Sequence, residues 1–140
     1  VIQQGLLMYI NAGLAALTPS IVLPGGFPDI LQPTDLISPA VPQAWAFRDI
    51  VAPIDYNLQG PGWIEWQVEI ACHGVTALLR DQLSRAIEAI LDPGFSGKFP
   101  DPDQTLVAGI YRLPFSGLSG FSDANHSYVR SLEYAVLFQQ

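Results

Sequence analysis

Few side chains in this sequence belong to the types that do chemistry. The histidines are His73 and His126, and the single cysteine is Cys72. Cys72 and His73 are neighbours at the end of WIEWQVEIACH. In a strand, adjacent residues point to opposite faces, so the two do not converge on one ion. A structural zinc site wants four Cys or His ligands, and these three are all the chain has. No metal is therefore expected. Cys72 reads as a small core residue, the usual place of a free cysteine. His126 sits in SDANHSY with Asp123 and serines nearby, which sketches a nucleophile, base and acid. The same residues are turn formers that bond to their own backbone, and no G-x-S-x-G elbow accompanies them. Gly25-Gly26, Gly60-Pro61-Gly62 and GLSG at 117–120 match neither G-x-G-x-x-G nor a phosphate loop, and read as turns. Glu65 and Glu69 lie four residues apart on one strand, about 13 Å at strand rise. That is too far for a shared acid and base at one bond. They mark a polar sheet face. Trp63 is a candidate interface anchor on the same face.

The elements that carry these residues follow from period and punctuation. Ile2, Leu6, Ile10, Leu14 and Leu17 recur at three- and four-residue steps, so 2–17 is a helix that Pro19 ends. Gly13 weakens its middle. Residues 18–44 hold Pro19, Pro24, Pro28, Pro33, Pro39 and Pro42, yet are rich in apolar side chains. A flexible linker would be polar. The segment reads as an arm that packs on something, with Leu23, Phe27, Ile30, Leu31, Leu36 and Ile37 as candidate contacts to a neighbouring subunit. A first strand spans 44–51, with its alternation slipping at Asp49 and Pro53 following. In 63–73 alternation is strict: Ile64, Trp66, Val68, Ile70 and Cys72 on one face, Trp63, Glu65, Gln67, Glu69 and Ala71 on the other. A helix covers 76–91, with Asp81, Arg85 and Glu88 at neighbour spacing, and Asp92-Pro93-Gly94 stops it. Residues 94–103 form a loop, 104–113 a strand, 115–127 a Gly- and Ser-rich connection, and 128–140 a last strand. That strand has Leu132, Tyr134, Val136 and Phe138 on one face and Glu133 on the other. It is too apolar to stand exposed and should be paired. The order predicts one α+β domain over 1–140. Helices pack on one face of an antiparallel sheet, with the proline-rich arm inside the domain.

Composition narrows the function classes. The chain has 140 residues, 49% hydrophobic and 14% charged, enough to fold around one core. Six basic against thirteen acidic residues give a net charge of −7. The basic residues Arg48, Arg80, Arg85, Lys98, Arg112 and Arg130 are scattered, which argues against gripping nucleic acid. An acidic surface instead lets DNA pass without sticking. No apolar run reaches membrane-span length, and the apolar start lacks a basic n-region, so cytoplasmic synthesis and no membrane partner are expected.

Several stretches, in order, carry a resemblance. A first helix ends in LAAL before an apolar arm. PAVPQAWAFRDI reads as a first strand and WIEWQVEIACHG as a central strand running into a helix. RDQLSRAIEAILDPGFSG reads as a long helix with its following loop, and YVRSLEYAVLFQQ as a terminal strand. Together they resemble the small tail-terminator, or tail-completion, proteins of long-tailed bacteriophages and related particles. The chain departs from them in its longer, more proline-rich arm and in the 114–127 loop. The resemblance implies a virion structural protein without enzymatic activity or cofactor. It implies a ring, usually of six subunits, on the head-proximal end of the tail tube, which ends tube polymerisation and docks to the head connector. Its partners would be its own copies, the tube protein and the connector or neck proteins, with DNA passing through unbound. On that reading Glu65, Glu69 and Glu133 are candidate channel-facing charges. Two other readings stay open: a head-closure or adaptor protein of the neck, and a small α+β ligand-binding domain or enzyme.

Overall fold

The computed structural model describes residues 2–17, 43–55, 62–114, 116–122 and 127–139. In chain order the elements are α1 (Ile2–Leu17), β1 (Gln43–Asp55), β2 (Trp63–Gly74), α2 (Ala77–Leu91), β3 (Gly97–Lys98), β4 (Leu106–Arg112), β5 (Leu118–Ser122) and β6 (Ser127–Gln139). They form a six-stranded antiparallel sheet with both helices packed against it, the α+β class expected from sequence. The arm residues Leu23, Phe27, Ile30, Leu31, Leu36 and Ile37 lie outside the described residues.

The sheet order is β1-β2-β6-β4-β3, with β5 also paired to β6. The terminal strand is thus the middle of the sheet. One side of β6 pairs with β2 over its whole length, from Trp63↔Gln139 to Gly74↔Tyr128. Its other side is shared. β4 takes Tyr134–Gln139, and β5 takes Ser127–Ser131. Between them the chain stays tethered to β6, with Leu113 N donating to Glu133 O and Gly117 N to Ser131 O. Gly117 adopts φ +93 and its carbonyl accepts from Arg130 Nε, so a side chain there would meet both strain and the guanidinium groups of Arg112 and Arg130.

Sequence reasoning placed the long elements and missed two short ones. β3 falls inside the expected 94–103 loop, and β5 inside the expected 115–127 connection. β1 also runs past its expected end at 51 to Asp55, through Pro53. Its register shifts between Asp49 and Val51 and again between Val51 and Ile54. Proline is tolerated in an edge strand at such irregularities because no ladder hydrogen bond is demanded of it.

The core is one cluster. Ile2, Leu6, Ile10 and Leu14 of α1 meet Leu83, Ile87, Ile90 and Leu91 of α2 and the inward faces of β2, β4 and β6, with Trp66 and Tyr134 fully buried. Gly13 is not a flaw in α1. A Cβ there would lie 2.8 Å from Ile90 Cγ1, so glycine is what lets the two helices approach. Thr76, expected inside α2, is its N-cap, with Oγ1 accepting from Leu79 N at 3.2 Å.

Candidate functional site: the open face of the sheet

Residues paired across antiparallel strands point to the same face. The helix-side face of β2 and β6 holds Ile64, Trp66, Val68, Ile70 and Cys72 with Leu132, Tyr134, Val136 and Phe138, all buried. The other face holds Trp63, Glu65, Gln67 and Glu69 on β2 and Ser131, Glu133, Ala135 and Leu137 on β6. Both described helices pack on the first face.

All three expected acidic residues are half-buried on the second face. Glu69 and Glu133 are direct partners in register, one strand apart. Arg48 stands at the register position across from Glu69 on β1, so one row of the sheet reads Arg48, Glu69, Glu133. Glu65 lies two pairs further along, opposite Leu137, and accepts a hydrogen bond from Gln67 Nε2 at 3.3 Å. Large exposed apolar side chains ring the charges. Trp63 and Leu106 share the register position of Gln139, Tyr111 is paired to Ala135, and Leu118 to Ser131. Sequence reasoning found the acidic residues and Trp63. It missed Tyr111 and Leu118, because their face is set by which stretch of β6 each strand pairs with.

Other polar clusters serve the fold. Asp49, where the alternation of β1 slips, accepts from Trp66 Nε1 at 2.6 Å and from Gln3 Nε2 at 3.4 Å. The indole thereby keeps a partner inside the core. Glu88 does not spend its charge along the helix on Arg85. It accepts from Arg112 Nη1 at 3.1 Å and from Arg130 Nη1, while Arg112 also reaches Asp92 at 3.0 Å. Tyr134 OH donates to Asp92 Oδ1 at 2.6 Å. Burial, then that bonded carboxylate, raises the Tyr134 pKa. The network ties α2 to β4 and β6. Its signal in the sequence was Arg130, which continues the apolar face of β6 two residues before Leu132.

His73 is buried, with Nδ1 2.9 Å from Oγ of the buried Ser127. A serine and histidine at that distance have nucleophilic geometry. With both covered, they act as a tie between the end of β2 and the start of β6. Burial lowers the His73 pKa to about 4. Cys72 is buried in the core, and burial pushes its thiol pKa up, away from reactivity. Asp123 and His126 lie outside the described residues. Among the described residues, no group of three acidic, His or Cys side chains could hold a metal ion, and no helix is long and apolar enough to cross a membrane.

One cavity is open to solvent between α1, the end of α2 and residues 95–100. Its volume is about 440 Å³ and its lining is mainly apolar, including Tyr9, Ile90, Phe95 and Pro100, with Lys98 at hand. Asp101 anchors the loop beside it, accepting from Thr105 N at 2.9 Å and Thr105 Oγ1 at 2.8 Å. Burial works to raise the Asp101 pKa, but the hydrogen bonds from Thr105 prevail and lower it.

No protein-family model matches this sequence, and no curated protein matches it.

Proposed function

We propose that the chain is a structural ring subunit at the head-proximal end of a phage tail tube, where it ends tube growth and meets the head connector. The observation that supports this reading best is the open acidic sheet face with Glu69 set directly against Glu133. Like charges in directly opposed positions destabilise a sheet. A wall along which DNA must slide favours such charge, because fixed negative charge repels phosphate and keeps a polyanion from adhering. The edges fit a ring as well. β1 lies at one end of the strand order and β3 at the other, two unlike sides. A closed ring joins unlike patches of successive copies. The resemblance in sequence pattern points the same way.

The test is negative-stain microscopy of tube protein from the same genome, polymerised with and without this chain. Tubes capped at one end by a ring and held at fixed length are the expected result. Tubes that grow unchanged, with no chain at either end, overturn the reading. Labelling the chain in assembled particles separates it from a neck protein: the label should travel with purified tails, and a label found only on tail-less heads contradicts the terminator role.

A further inference from the structure

The outer edge of β5 has the features of a strand acceptor. β5 pairs with β6 on one side, and among the described residues no strand pairs with its other side. Every second residue of an edge strand points its N–H and C=O outward, so an open edge is a template for another strand. Leu118, Ser119, Gly120 and Phe121 are all exposed, and a Cβ built on Gly120 would meet nothing within 4 Å. The sequence LSGFS holds no charge and no proline, the usual devices that keep an edge from pairing. It carries apolar grips instead. Leu118 is 67% exposed on the open face of the sheet. Phe121 is 52% exposed on the helix side, where it meets Tyr128 edge-to-face at 5.0 Å and Arg80 of α2 lies over the Tyr128 ring at 5.8 Å.

The register identifies the strand that fits. One row across the sheet reads Gln43, Gly74, Tyr128, Phe121, and the row three residues along reads Ala46, Ala71, Ser131, Leu118. At this level β1 is one edge and β5 the other. Each neighbouring pair is antiparallel, so β1 and β5 run in opposite directions. A second copy placed head to tail in the same orientation therefore brings its β1 antiparallel to β5, with the helix sides and the open faces continuous. The stretch QAWA that begins β1 is uncharged like LSGFS, and Trp45 holds a register position on the face of Phe121. Aromatic pairs across strands stabilise a sheet. Pairing of β5 with a second β5 would instead centre on Gly120, which has no side chain to pack. Within one chain β2 and β6 stand between the two edges, about 14 Å of strand spacing, so β1 and β5 can meet only between copies.

We infer that β5 of one copy adds antiparallel to the Gln43–Ala46 stretch of β1 in the next copy, so that the sheet runs on from subunit to subunit. This pairing rests on the ring reading and supplies the contact that closes the ring. It also joins the open faces of successive copies into one wall.

The test is disulfide trapping in the full chain, alone and with tube protein. A tagged copy carries Ala46→Cys, and an untagged copy carries Leu118→Cys or, for a register shifted by two, Gly120→Cys. Cys72 stays in place, since its thiol is buried. Gln82→Cys, at an exposed position of α2, replaces Ala46→Cys in the background pair. A tagged–untagged dimer several-fold above background is expected. The chain carrying both Ala46→Cys and Leu118→Cys should give a ladder of multimers, because about 14 Å within one chain is beyond the reach of a disulfide. No dimer above background overturns the inference. So does a dimer that Gly120→Cys copies form equally well with one another. Phe121→Lys places a charge at the exposed edge. It should keep the circular-dichroism spectrum and lower the ring population with tube protein several-fold in light scattering; an unchanged ring population overturns the pairing. Rings of the unmodified chain without a trapped dimer leave the ring reading and remove this contact. A trapped dimer without capped tubes leaves the contact and removes the terminator role.

Discussion

Glu69 and Glu133 face each other directly across the β2–β6 pair, two acidic side chains in one row of the sheet's open face. Directly opposed like charges cost a sheet a fraction of a kcal/mol relative to a neutral pair. Arg48 stands beside Glu69 in the same row, so Glu133 is the member of the pair to replace. Glu133→Gln is expected to raise stability by about 0.2 to 1 kcal/mol, more at low salt, in urea titrations. If it lowers stability, Glu133 is held by favourable contacts and the row is not a sacrifice. The functional counterpart is Glu133→Lys. It should leave the circular-dichroism spectrum and melting cooperativity intact while slowing DNA delivery from particles built with it. Unchanged delivery would remove the channel role of this residue.

Glu88 bridges two guanidinium groups, each from a different strand. The side chains of Glu88 and Arg130 are 16% and 18% exposed, so water compensates little for a lost partner. Breaking a buried pair by removing one member costs about 3 to 5 kcal/mol. The residual exposure lowers the expectation for Glu88→Ala to about 2 to 3 kcal/mol. Arg85→Ala, at an exposed helical position, should change stability by less than about 0.5 kcal/mol. Equal effects of the two substitutions in urea unfolding would contradict the assignment of Glu88 to the α2–sheet interface rather than to the helix surface.

The sheet's inward face was legible because alternation is local. Ile64 to Cys72 and Leu132 to Phe138 declare their faces from a period of two, whatever they pair with. The acidic residues were legible for the same reason. What stayed hidden depends on register. That Glu69 opposes Glu133, that Arg130 meets Glu88, and that Tyr111 and Leu118 share the open face all follow from β6 lying between β2 and the β4 and β5 strands. No spacing along the chain encodes that placement. The short strands β3 and β5 were hidden because Gly97-Lys98 and LSGFS have little strand propensity of their own and are strands only through their partners. Gly13 misled by propensity. Its helical cost is real, but Ile90 occupies the space a side chain would need.

That contact predicts a conditional effect. Gly13→Ala gains about 0.8 to 1 kcal/mol in helix propensity. Against this, its Cβ would stand 2.8 to 3.0 Å from three carbons of Ile90, and overpacking of this kind costs about 1 to 3 kcal/mol. A net loss is expected in the native background. With Ile90→Ala the clash disappears and the same substitution should stabilise. The double-mutant cycle reads the difference directly, and additivity of the two changes would rule out the close packing of α1 on α2 at this point.

His73 gives the protein a pH dependence that begins above the range in which carboxylates titrate. Its pKa is lowered to about 4 in the folded state from 6.5 when exposed, because burial disfavours the charged ring. The unfolded chain then binds more protons over that interval, so stability falls as pH falls from about 6.5 towards 4. Stability from this residue is full above pH 6.5. At 1.36 kcal/mol per unit, the shift amounts to roughly 3 kcal/mol. Most carboxylates stay ionised between pH 6.5 and 5.5, so the slope there belongs largely to His73. His126, the other histidine of the chain, lies outside the described residues. Urea unfolding of the His126→Gln variant therefore isolates the His73 slope, and adding His73→Gln should flatten it. Ser127→Ala leaves Nδ1 without its partner in a buried site and should lower stability at every pH. If the slope between pH 6.5 and 5.5 survives in the doubly substituted protein, the burial of His73 is not its cause.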